Sequence, residues 1–421
     1  MNILQDLEFR GLLHQITDRE GLEKKLDSER VVLYCGFDPT ADSLHIGSLL
    51  PILTLKRFQI AGHLPLALVG GGTGLIGDPS GKASERTLNS ADIVDTWSQS
   101  IKKQLSRFLD FSDKIENPAE LVNNYDWIQP LSVIEFLRDV GKNFTVNYML
   151  AKESVEARIG KGISFTEFSY MILQSYDFMK LNESRGCTLQ IGGSDQWGNI
   201  TAGLELIGRT SGNKAFGVTL PLVTKSDGQK FGKTEGGAVW LDAHKTSPYQ
   251  FYQFWVNTDD NDVIRFLKYF TFLSKEEIES LEGEVKTQPE KREAQRVLAK
   301  EVTRLVHGEA AVDSSINISQ ALFSGNVQEL SLREIEEAFK DVPSTTVNEG
   351  EDLGLVDLLV NAGVAASKRQ ARQDIESGAI YINGERTTEL EKKLNEIGRI
   401  GGSYIVIRRG KKSYYLIQTR K

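Results

Sequence analysis

The chain has 421 residues, of which 40% are hydrophobic and 26% are charged, so the composition predicts an ordinary globular protein of two to four domains. It has no run of about 18 apolar residues, so no membrane span is expected, and its start lacks the basic, then apolar pattern of a signal peptide, which favours the cytoplasm. The net charge is −8, but from Gly354 onward thirteen Lys and Arg stand against seven Asp and Glu, which indicates a basic module after an acidic body.

The first part of the chain alternates strand and helix patterns. Residues 31–36 and 64–69 are short apolar runs typical of buried strands, and residues 52–63 between them have helical spacing. A third strand pattern at 187–193 leads into a helix pattern at 194–207. This alternation predicts a parallel sheet covered by helices on both faces, that is, a Rossmann-like α/β domain over residues 1–247.

The middle of the chain has mainly helical patterns. Ser247 and Pro248 read as an N-cap followed by proline at the first helical position, and Ser274 begins a capping box. We therefore predict an α-helical domain over residues 248–320. Residues 340–352 are polar and contain Pro and Gly, so we expect a linker region over residues 321–352.

The last part of the chain combines helix and strand patterns. Two short helix patterns at 354–363 and 367–378 precede the strand pattern AIYI and an Asn383-Gly384 turn. A hairpin is predicted around Arg409-Gly410. These patterns predict a small α+β domain over residues 353–421.

The loop after the first strand carries groups suited to an anion. It leads into a helix N-terminus, where free N–H groups and the helix dipole favour phosphate. Thr40 and His45 would be donors there, while Gly36 and Gly47 leave room for a flat ring near the backbone. The alternative is a polar turn with a satisfied histidine. Proline is tolerated only in the first turn of a helix, so Pro51 favours a regular helix that begins close to it.

The glycine-rich loop after the second strand has two interpretations. Gly72 to Gly77 fit the dinucleotide-binding pattern G-x-G-x-x-G. However, that pattern should open a long helix, whereas the sequence from Asp78 to Gly81 is typical of a turn. We therefore favour a loop in which Asp78 meets a cation while Lys82 and Arg86 meet phosphate.

Three polar residues recur along an otherwise apolar helix pattern. Tyr170, Gln174 and Asp177 are spaced i, i+4 and i+7, so they share one face. Buried polar groups are costly without partners. The stripe therefore either faces water or forms a specificity pocket for a small polar ligand.

A second loop carries lysines and glycines, from Lys225 to Thr234. Lys230 and Lys233 suit a leaving polyphosphate, because their charge is needed mainly in the transition state. A solvated surface turn is equally compatible with this segment on its own.

Together these segments resemble the class I tRNA ligases. His45-Ile-Gly-Ser48 resembles their HIGH motif, and the segment from Lys230 to Thr234 resembles their KMSKS motif. The order of the motifs along the chain is similar to that of the bacterial tyrosyl-tRNA synthetases, and residues 367–386 resemble an S4-type RNA-binding module. Ser48 stands where the HIGH motif has its second histidine, and Phe231 and Gly232 replace Met and Ser of the other motif.

The resemblance implies the roles of individual residues. The residues implied to stabilise the polyphosphate are Thr40, His45, Lys82, Arg86, Lys230, Lys233 and Thr234. The residues implied to hold adenosine are Gly36, Asp38, Gly47, Ser48, Gly193 and Asp195. The residues implied to bind tyrosine are Asp78, Tyr170 and Gln174 at the ammonium, Gln196 nearby, and Tyr34 and Asp177 at the phenol. The residues implied to bind RNA are Lys368, Arg369, Arg372, Arg408, Arg409, Lys411 and Lys412.

The resemblance also implies the reaction and its participants. L-tyrosine would be activated by ATP with Mg²⁺ and passed to tRNA(Tyr), without a covalent enzyme intermediate or an organic cofactor. A homodimer is implied as well. A protein-bound metal is not expected, because no histidine lies at a ligand spacing from Cys35 or Cys187.

Three alternatives remain at this stage. A tryptophan ligase shares the architecture, although Asp177 with Tyr34 favours a phenol over an indole. A nicotinamide-dependent oxidoreductase would rest on Gly72 to Gly77, but no acidic residue follows at a convincing ribose position. A noncatalytic RNA-binding protein would leave His45 and the loop lysines without a role.

Overall fold

The computed structural model describes residues 2–80, 87–152, 155–156, 159–160, 162–226, 231–234, 237–340, 342–348, 350–410 and 413–420, with the backbone alone for Lys233 and Thr234. The chain forms two compact units. The first comprises Met1–Thr246 and Trp255–Val302, and the second comprises Ser247–Phe254 and Thr303–Lys421. The segment predicted as one helical domain, residues 248–320, is therefore divided between the two units.

The first unit is built on a six-stranded sheet. Its strands are β1 (Gln15–Ile16), β2 (Val32–Phe37), β3 (Leu64–Val69), β4 (Glu120–Asn123), β5 (Cys187–Gly193) and β6 (Phe216–Leu220), in the order β1-β6-β5-β2-β3-β4. All neighbours are parallel except β1, which pairs with β6 in the antiparallel direction. The predicted parallel α/β fold is confirmed.

The strand order determines where a ligand can bind. From β2 the chain proceeds outward through β3 to β4, whereas β5 returns to the other side of β2 and is followed outward by β6. The connections therefore leave β2 and β5 in opposite directions. In open α/β sheets, such a switch point leaves a crevice at the carboxyl ends of the two strands.

Helices cover this sheet. Those of the first unit are Ile3–Phe9, Arg19–Ser28, Ile46–Ile60, Ala91–Leu105, Tyr125–Ile128, Val133–Glu135, Val146–Leu150, Phe165–Arg185, Trp197–Ser211, Asp260–Phe270 and Lys275–Thr287, with Pro248–Val256 and Glu293–His307 crossing the unit boundaries. A two-stranded ribbon, β7 (Lys233–Thr234) and β8 (Gly237–Ala238), lies between β6 and these later helices in the chain. Tyr34 and Leu68 of the sheet pack with Phe178 of the long helix in one apolar cluster, which fixes that helix over the crevice.

The described residues of the second unit form a five-stranded sheet and four helices. The strands are β9 (Ser344–Asn348), β10 (Ile380–Ile382), β11 (Glu385–Thr387), β12 (Tyr404–Arg409) and β13 (Ser413–Arg420), in the order β11-β10-β12-β13-β9. The helices are Glu309–Ser324, Leu332–Ala338, Leu355–Asn361 and Lys368–Glu376. Asn383 and Gly384 have φ values of 49° and 91°, as a tight hairpin turn requires, and the predicted small α+β domain is confirmed.

The segment predicted as a linker is structured instead. It contains the helix Leu332–Ala338, and β9 pairs in parallel with β13. Ile335 and Phe339 are buried in one cluster with Tyr404 of β12. The linker prediction was wrong because β9 is an edge strand on which only Val347 is buried. Its sequence is therefore mostly polar, like that of a linker.

Candidate active site at the carboxyl ends of the strands

A cavity of about 630 Å³ opens at the crevice between β2 and β5. It brings together fourteen predicted residues, namely Tyr34, Gly36, Asp38, Thr40, His45, Gly47, Ser48, Asp78, Tyr170, Gln174, Asp177, Gly193, Asp195 and Gln196. These are all the residues predicted to contact tyrosine or ATP whose side chains or glycine backbones the structure describes. Their individual roles remain predictions.

Several predicted residues cannot be placed. Lys82, Arg86 and Lys230 lie outside the described residues, as do Lys411 and Lys412 of the predicted RNA-binding set. Lys233 and Thr234 belong to β7, but their side chains are not described.

The closed end of the cavity is formed around Asp177. Its two carboxylate oxygens accept hydrogen bonds from Trp127 Nε1, at 2.7 Å, and from Asn124 Nδ2, at 2.9 Å. Burial raises the pKa of Asp177 to about 7, although the two donors act in the opposite direction. Asp177 is thus a buried carboxylate held in one orientation.

Tyr34 lies at the same end of the cavity. Its side chain is buried, and its hydroxyl has no hydrogen-bond partner within the described part of the chain. Burial and the nearby charge of Asp177 raise its pKa well above the usual value. A buried hydroxyl without a partner is uncommon and suggests that a ligand supplies the missing bond.

Acidic groups lie at the other end of the cavity. The Tyr170 hydroxyl donates to Asp38 at 2.7 Å, and the Thr73 hydroxyl donates to the second oxygen of Asp38, also at 2.7 Å. A side chain at Gly70 would lie 1.9 Å from Asp38 Oδ1, so glycine is needed there. Asp38 was predicted to hold adenosine, but these bonds join it to a residue predicted to bind the tyrosine ammonium.

Asp78 is the second acidic group. It accepts a hydrogen bond from Gln196 Nε2 at 2.7 Å and one from the backbone N–H of Ser80 at 2.9 Å. Asn199 Nδ2 donates to Gln174 Oε1 at 3.0 Å and approaches Gln196 Oε1 at 3.2 Å. These amides fix the acidic end from the side of the helix Trp197–Ser211.

Four polar residues of this site, Asn124, Trp127, Thr73 and Asn199, were not predicted from the sequence. Asn124 and Trp127 follow β4, so they reach the same edge of the sheet as the other loops. Recognising β4 in the sequence would have indicated these two residues. However, β4 has only four residues and lacks the apolar run of a central strand.

The HIGH-like segment caps a helix. His45 Nδ1 accepts the backbone N–H of Gly47 at 3.0 Å, and the helix begins at Ile46. Pro51 was expected near the start of the regular helix, but it is the sixth residue of this helix. It therefore removes the bond that this position would otherwise donate to the Gly47 carbonyl.

The two signature segments are joined by the backbone. Ile46 N–H donates to the Val239 carbonyl at 3.0 Å, and Val239 N–H donates to the Gly232 carbonyl at 2.9 Å. Phe231 stacks on Phe270, with ring centroids 5.4 Å apart. The segment after the lysine loop is thereby held against the start of the helix that His45 caps, which the sequence did not reveal.

The described residues contain neither a metal-binding cluster nor a membrane-spanning helix. No group of three His, Cys, Asp or Glu side chains there could hold a metal ion. In the same part of the chain, no helix combines the length and the apolar character needed to cross a bilayer.

Comparisons with known proteins agree with this geometry. Residues 26–324 match the family model of class I tRNA synthetases for tryptophan and tyrosine, and residues 334–417 match the model of the tyrosine–tRNA ligase C-terminal domain. Tyrosine–tRNA ligase 1 of Bacillus subtilis (strain 168) is 66% identical over 418 residues, 99% of each chain. Tyrosine–tRNA ligase of Geobacillus kaustophilus (strain HTA426) is 67% identical over 419 residues, 99% of this chain and 100% of that one.

Solved structures show the same relationship. A C-terminally truncated mitochondrial tyrosyl-tRNA synthetase from Aspergillus nidulans superposes with a TM-score of 0.69 at 33% identity, covering 76% of this chain and 94% of its own. A tryptophanyl-tRNA synthetase from Encephalitozoon cuniculi has a TM-score of 0.53 at 13% identity, over 74% of this chain and 87% of its own, which shows a shared fold. With full-length relatives at this identity, the chain belongs to the tyrosine–tRNA ligases, the class I enzymes that join tyrosine to tRNA.

Proposed function

We propose that the cavity binds tyrosine with its phenol at Tyr34 and Asp177 and its ammonium group near Asp38 and Asp78. The observation that carries this proposal is the difference between the two ends. Beside the oriented carboxylate of Asp177 lies a buried hydroxyl that has no partner among the described residues, whereas Asp38 and Asp78 lie close to Tyr170. Seven residues separate Tyr170 from Asp177, about 10 Å along a helix, so both ends can contact one amino acid.

The orientation of tyrosine follows from its charges. The α-ammonium is a cation and is attracted to the acidic end, where Tyr170 and Gln174 supply further polar contacts. The phenol is neutral and needs an acceptor and a donor, which Asp177 and Tyr34 offer. Phenylalanine lacks the hydroxyl, so the buried Tyr34 hydroxyl would stay without a partner among the described residues and Asp177 would not receive the bond that the phenol of tyrosine donates, which opposes phenylalanine binding.

We propose that ATP lies over the glycines of β2 and β5, near Gly36, Gly193 and Asp195, with its phosphates at the helix that His45 caps. The tyrosine carboxylate attacks the α-phosphorus, forming a new P–O bond as the bond to the β-phosphate oxygen breaks. The attacking group is already ionised and pyrophosphate is a good leaving group, so no general base is needed.

The rate then depends on alignment and on charge stabilisation in the transition state. Thr40 and His45 would contact the departing phosphates, and the lysines of the loop around Lys230 and Lys233 would neutralise them. Lys82 and Arg86 would assist. Magnesium enters with ATP as part of the substrate, and we propose no protein-bound metal.

The second unit is proposed to bind tRNA(Tyr). Arg369 and Arg372 are exposed on the helix Lys368–Glu376, and the Arg408 guanidinium lies 3.9 Å from the centre of the Tyr381 ring. Tyr381 is half-buried, so the exposed arginines carry this proposal, because contacts of Lys and Arg with phosphates are a usual means of nucleic-acid binding. We also propose a cytoplasmic location, where these substrates are found.

A homodimer is proposed from the exposed apolar side chains of the first unit. Between residues 133 and 165, large apolar residues are more than half exposed: Val133, Ile134, Leu137, Val146, Ile159 and Phe165. Such a concentration is unusual on a monomer. Phe165→Asp should therefore give monomers in sedimentation analysis, whereas Phe323→Asp, at a phenylalanine of the second unit that is even more exposed, should not.

The binding proposal is tested by ATP–pyrophosphate exchange with tyrosine and with phenylalanine. Asp177→Ala should lower kcat/KM steeply for tyrosine and change it little for phenylalanine. Equal losses for both amino acids would show that Asp177 does not contact the phenol.

A further inference from the structure

We propose that Gln190 is a third determinant of tyrosine selectivity, whose amide is joined through one water molecule to the Tyr34 hydroxyl that contacts the phenol of the bound tyrosine. Gln190 lies on β5, and its register partner on the neighbouring strand β2 is Tyr34. Register partners on adjacent parallel strands are about 4.8 Å apart and point to the same face. Gln190 therefore stands beside Tyr34 at the closed end of the cavity.

The environment of Gln190 is unusual for an amide. Only 2% of the residue is exposed, its side chain lines the cavity, and within the described part of the chain Oε1 has no hydrogen-bond partner. The buried Tyr34 hydroxyl likewise has no hydrogen-bond partner among the described residues. Among the residues that the structure describes, two neighbouring buried polar groups thus have no partner at the place where the phenol is proposed to bind.

A structural role alone does not explain this side chain. An apolar side chain at position 190 would avoid the cost of an unsatisfied buried oxygen. Such groups in native proteins are few and call for a partner outside the chain. Because Gln190 lines the cavity, that partner can be the ligand or a water bound with it.

The hydrogen-bonding capacity of the phenol end is consistent with this contact. The substrate hydroxyl donates to Asp177, and Tyr34 donates to the substrate oxygen. The Tyr34 oxygen then still accepts one bond. Glutamine is shorter than tyrosine, so its amide ends nearer to the sheet than the Tyr34 hydroxyl, and one water can bond to both side chains.

The inference rests on the proposed placement of the phenol at Tyr34 and Asp177, so the experiment includes both. Gln190→Met keeps the length of the side chain and removes its polarity. Thr188→Val is the matched control, because Thr188 is on the same strand and also has a buried hydroxyl without a partner among the described residues, but it does not line the cavity. Asp177→Asn serves as the reference for the phenol site.

The measurement is kcat/KM for tyrosine and for phenylalanine in ATP–pyrophosphate exchange. Loss of one neutral hydrogen bond should lower the value for tyrosine by roughly tenfold, while the value for phenylalanine stays unchanged or rises. Thr188→Val should leave the ratio of the two values unchanged. Equal losses for both amino acids, or an unchanged ratio, in Gln190→Met would overturn the inference.

Thermal unfolding gives an independent readout. Without ligand, Gln190→Met should be at least as stable as the unmodified protein, because an unsatisfied group has been removed, but tyrosine should raise its Tm less. An undiminished rise in Tm would also overturn the inference. If Asp177→Asn does not alter the ratio for tyrosine and phenylalanine, the proposed phenol site itself is wrong; if only Gln190→Met leaves it unaltered, only the role of Gln190 is wrong.

Discussion

Trp127 donates its indole N–H to a carboxylate oxygen of Asp177 over 2.7 Å, although fifty positions separate the two residues in the chain. Asn124 holds the other oxygen at 2.9 Å and also donates to Thr73, whose hydroxyl bonds to Asp38. A chain of hydrogen bonds therefore runs from one end of the tyrosine site to the other. The carboxylate proposed to bind the phenol is oriented in the protein without ligand, which reduces the cost of ordering it on binding.

Trp127→Phe tests whether this orientation matters. The change removes one donor to Asp177 and keeps an aromatic ring, so we expect kcat/KM for tyrosine to fall by roughly tenfold, mostly through KM. The value for phenylalanine should change little, since no phenol is bound. Steady-state ATP–pyrophosphate exchange measures both. Tyr125→Phe, in the same short helix, is the control, and equal losses for both amino acids in Trp127→Phe would indicate a purely structural role.

The raised pKa of Asp177, at about 7, predicts two pH dependences. Between about pH 4 and 7, the folded protein retains a proton that the unfolded chain releases, so this residue makes stability fall as pH rises through that window, with no further change above it. Asp177→Asn should remove this contribution, which denaturant unfolding of both proteins across the window would measure. An identical pH dependence in the two proteins would contradict the assigned pKa.

Tyrosine binding should have the opposite dependence on pH. In the proposed site the phenol donates to the ionised carboxylate of Asp177, so KM for tyrosine should decrease as pH rises through about 7 and then level off. KM for phenylalanine serves as the control, because it is subject to the other titrations of the site but not to this hydrogen bond. If KM for tyrosine does not change between about pH 5.5 and 8, the protonated form of Asp177 binds tyrosine as well as the ionised form.

Asp38→Asn distinguishes two assignments of Asp38. The sequence assigned this residue to adenosine, which predicts a higher KM for ATP. Its bond to Tyr170 favours the tyrosine ammonium, so we expect a roughly tenfold higher KM for tyrosine with little change for ATP. Tyr170→Phe should raise the same constant. If Asp38→Asn raises KM for ATP alone, the assignment made from the sequence is correct.

The sequence predicted the parts of the site that depend on local patterns. The spacing of Tyr170, Gln174 and Asp177 placed them on one face of a helix, and the order of the loops placed them at one edge of a parallel sheet. Asn124 and Trp127 were missed because their role depends on a hydrogen bond across the fold, which leaves no periodic signal. The strand β9 was missed because its pairing with β13, about seventy residues later, is what orders a polar segment.

The second unit offers a test that separates RNA binding from folding. Deleting residues 353–421 is unsuitable, because Ile335 and Phe339 pack in one cluster with Ile400 and Tyr404, so the cut would divide a core. Point variants avoid this problem. Arg369 and Arg372 are exposed, whereas Arg409 forms a 2.9 Å ion pair with Asp374, whose side chain is only 11% exposed.

The double variant Arg369→Ala, Arg372→Ala should raise KM for tRNA and reduce the salt dependence of this KM, because two phosphate contacts are lost. Tyrosine-dependent pyrophosphate exchange and Tm should stay unchanged. Arg409→Ala should instead lower the free energy of unfolding of the second unit by about 2 kcal/mol, less than for a fully buried pair because Arg409 is about one-third exposed. Aminoacylation at several salt concentrations and thermal unfolding measure these effects. Unchanged tRNA kinetics in the double variant would mean that this helix does not contact RNA.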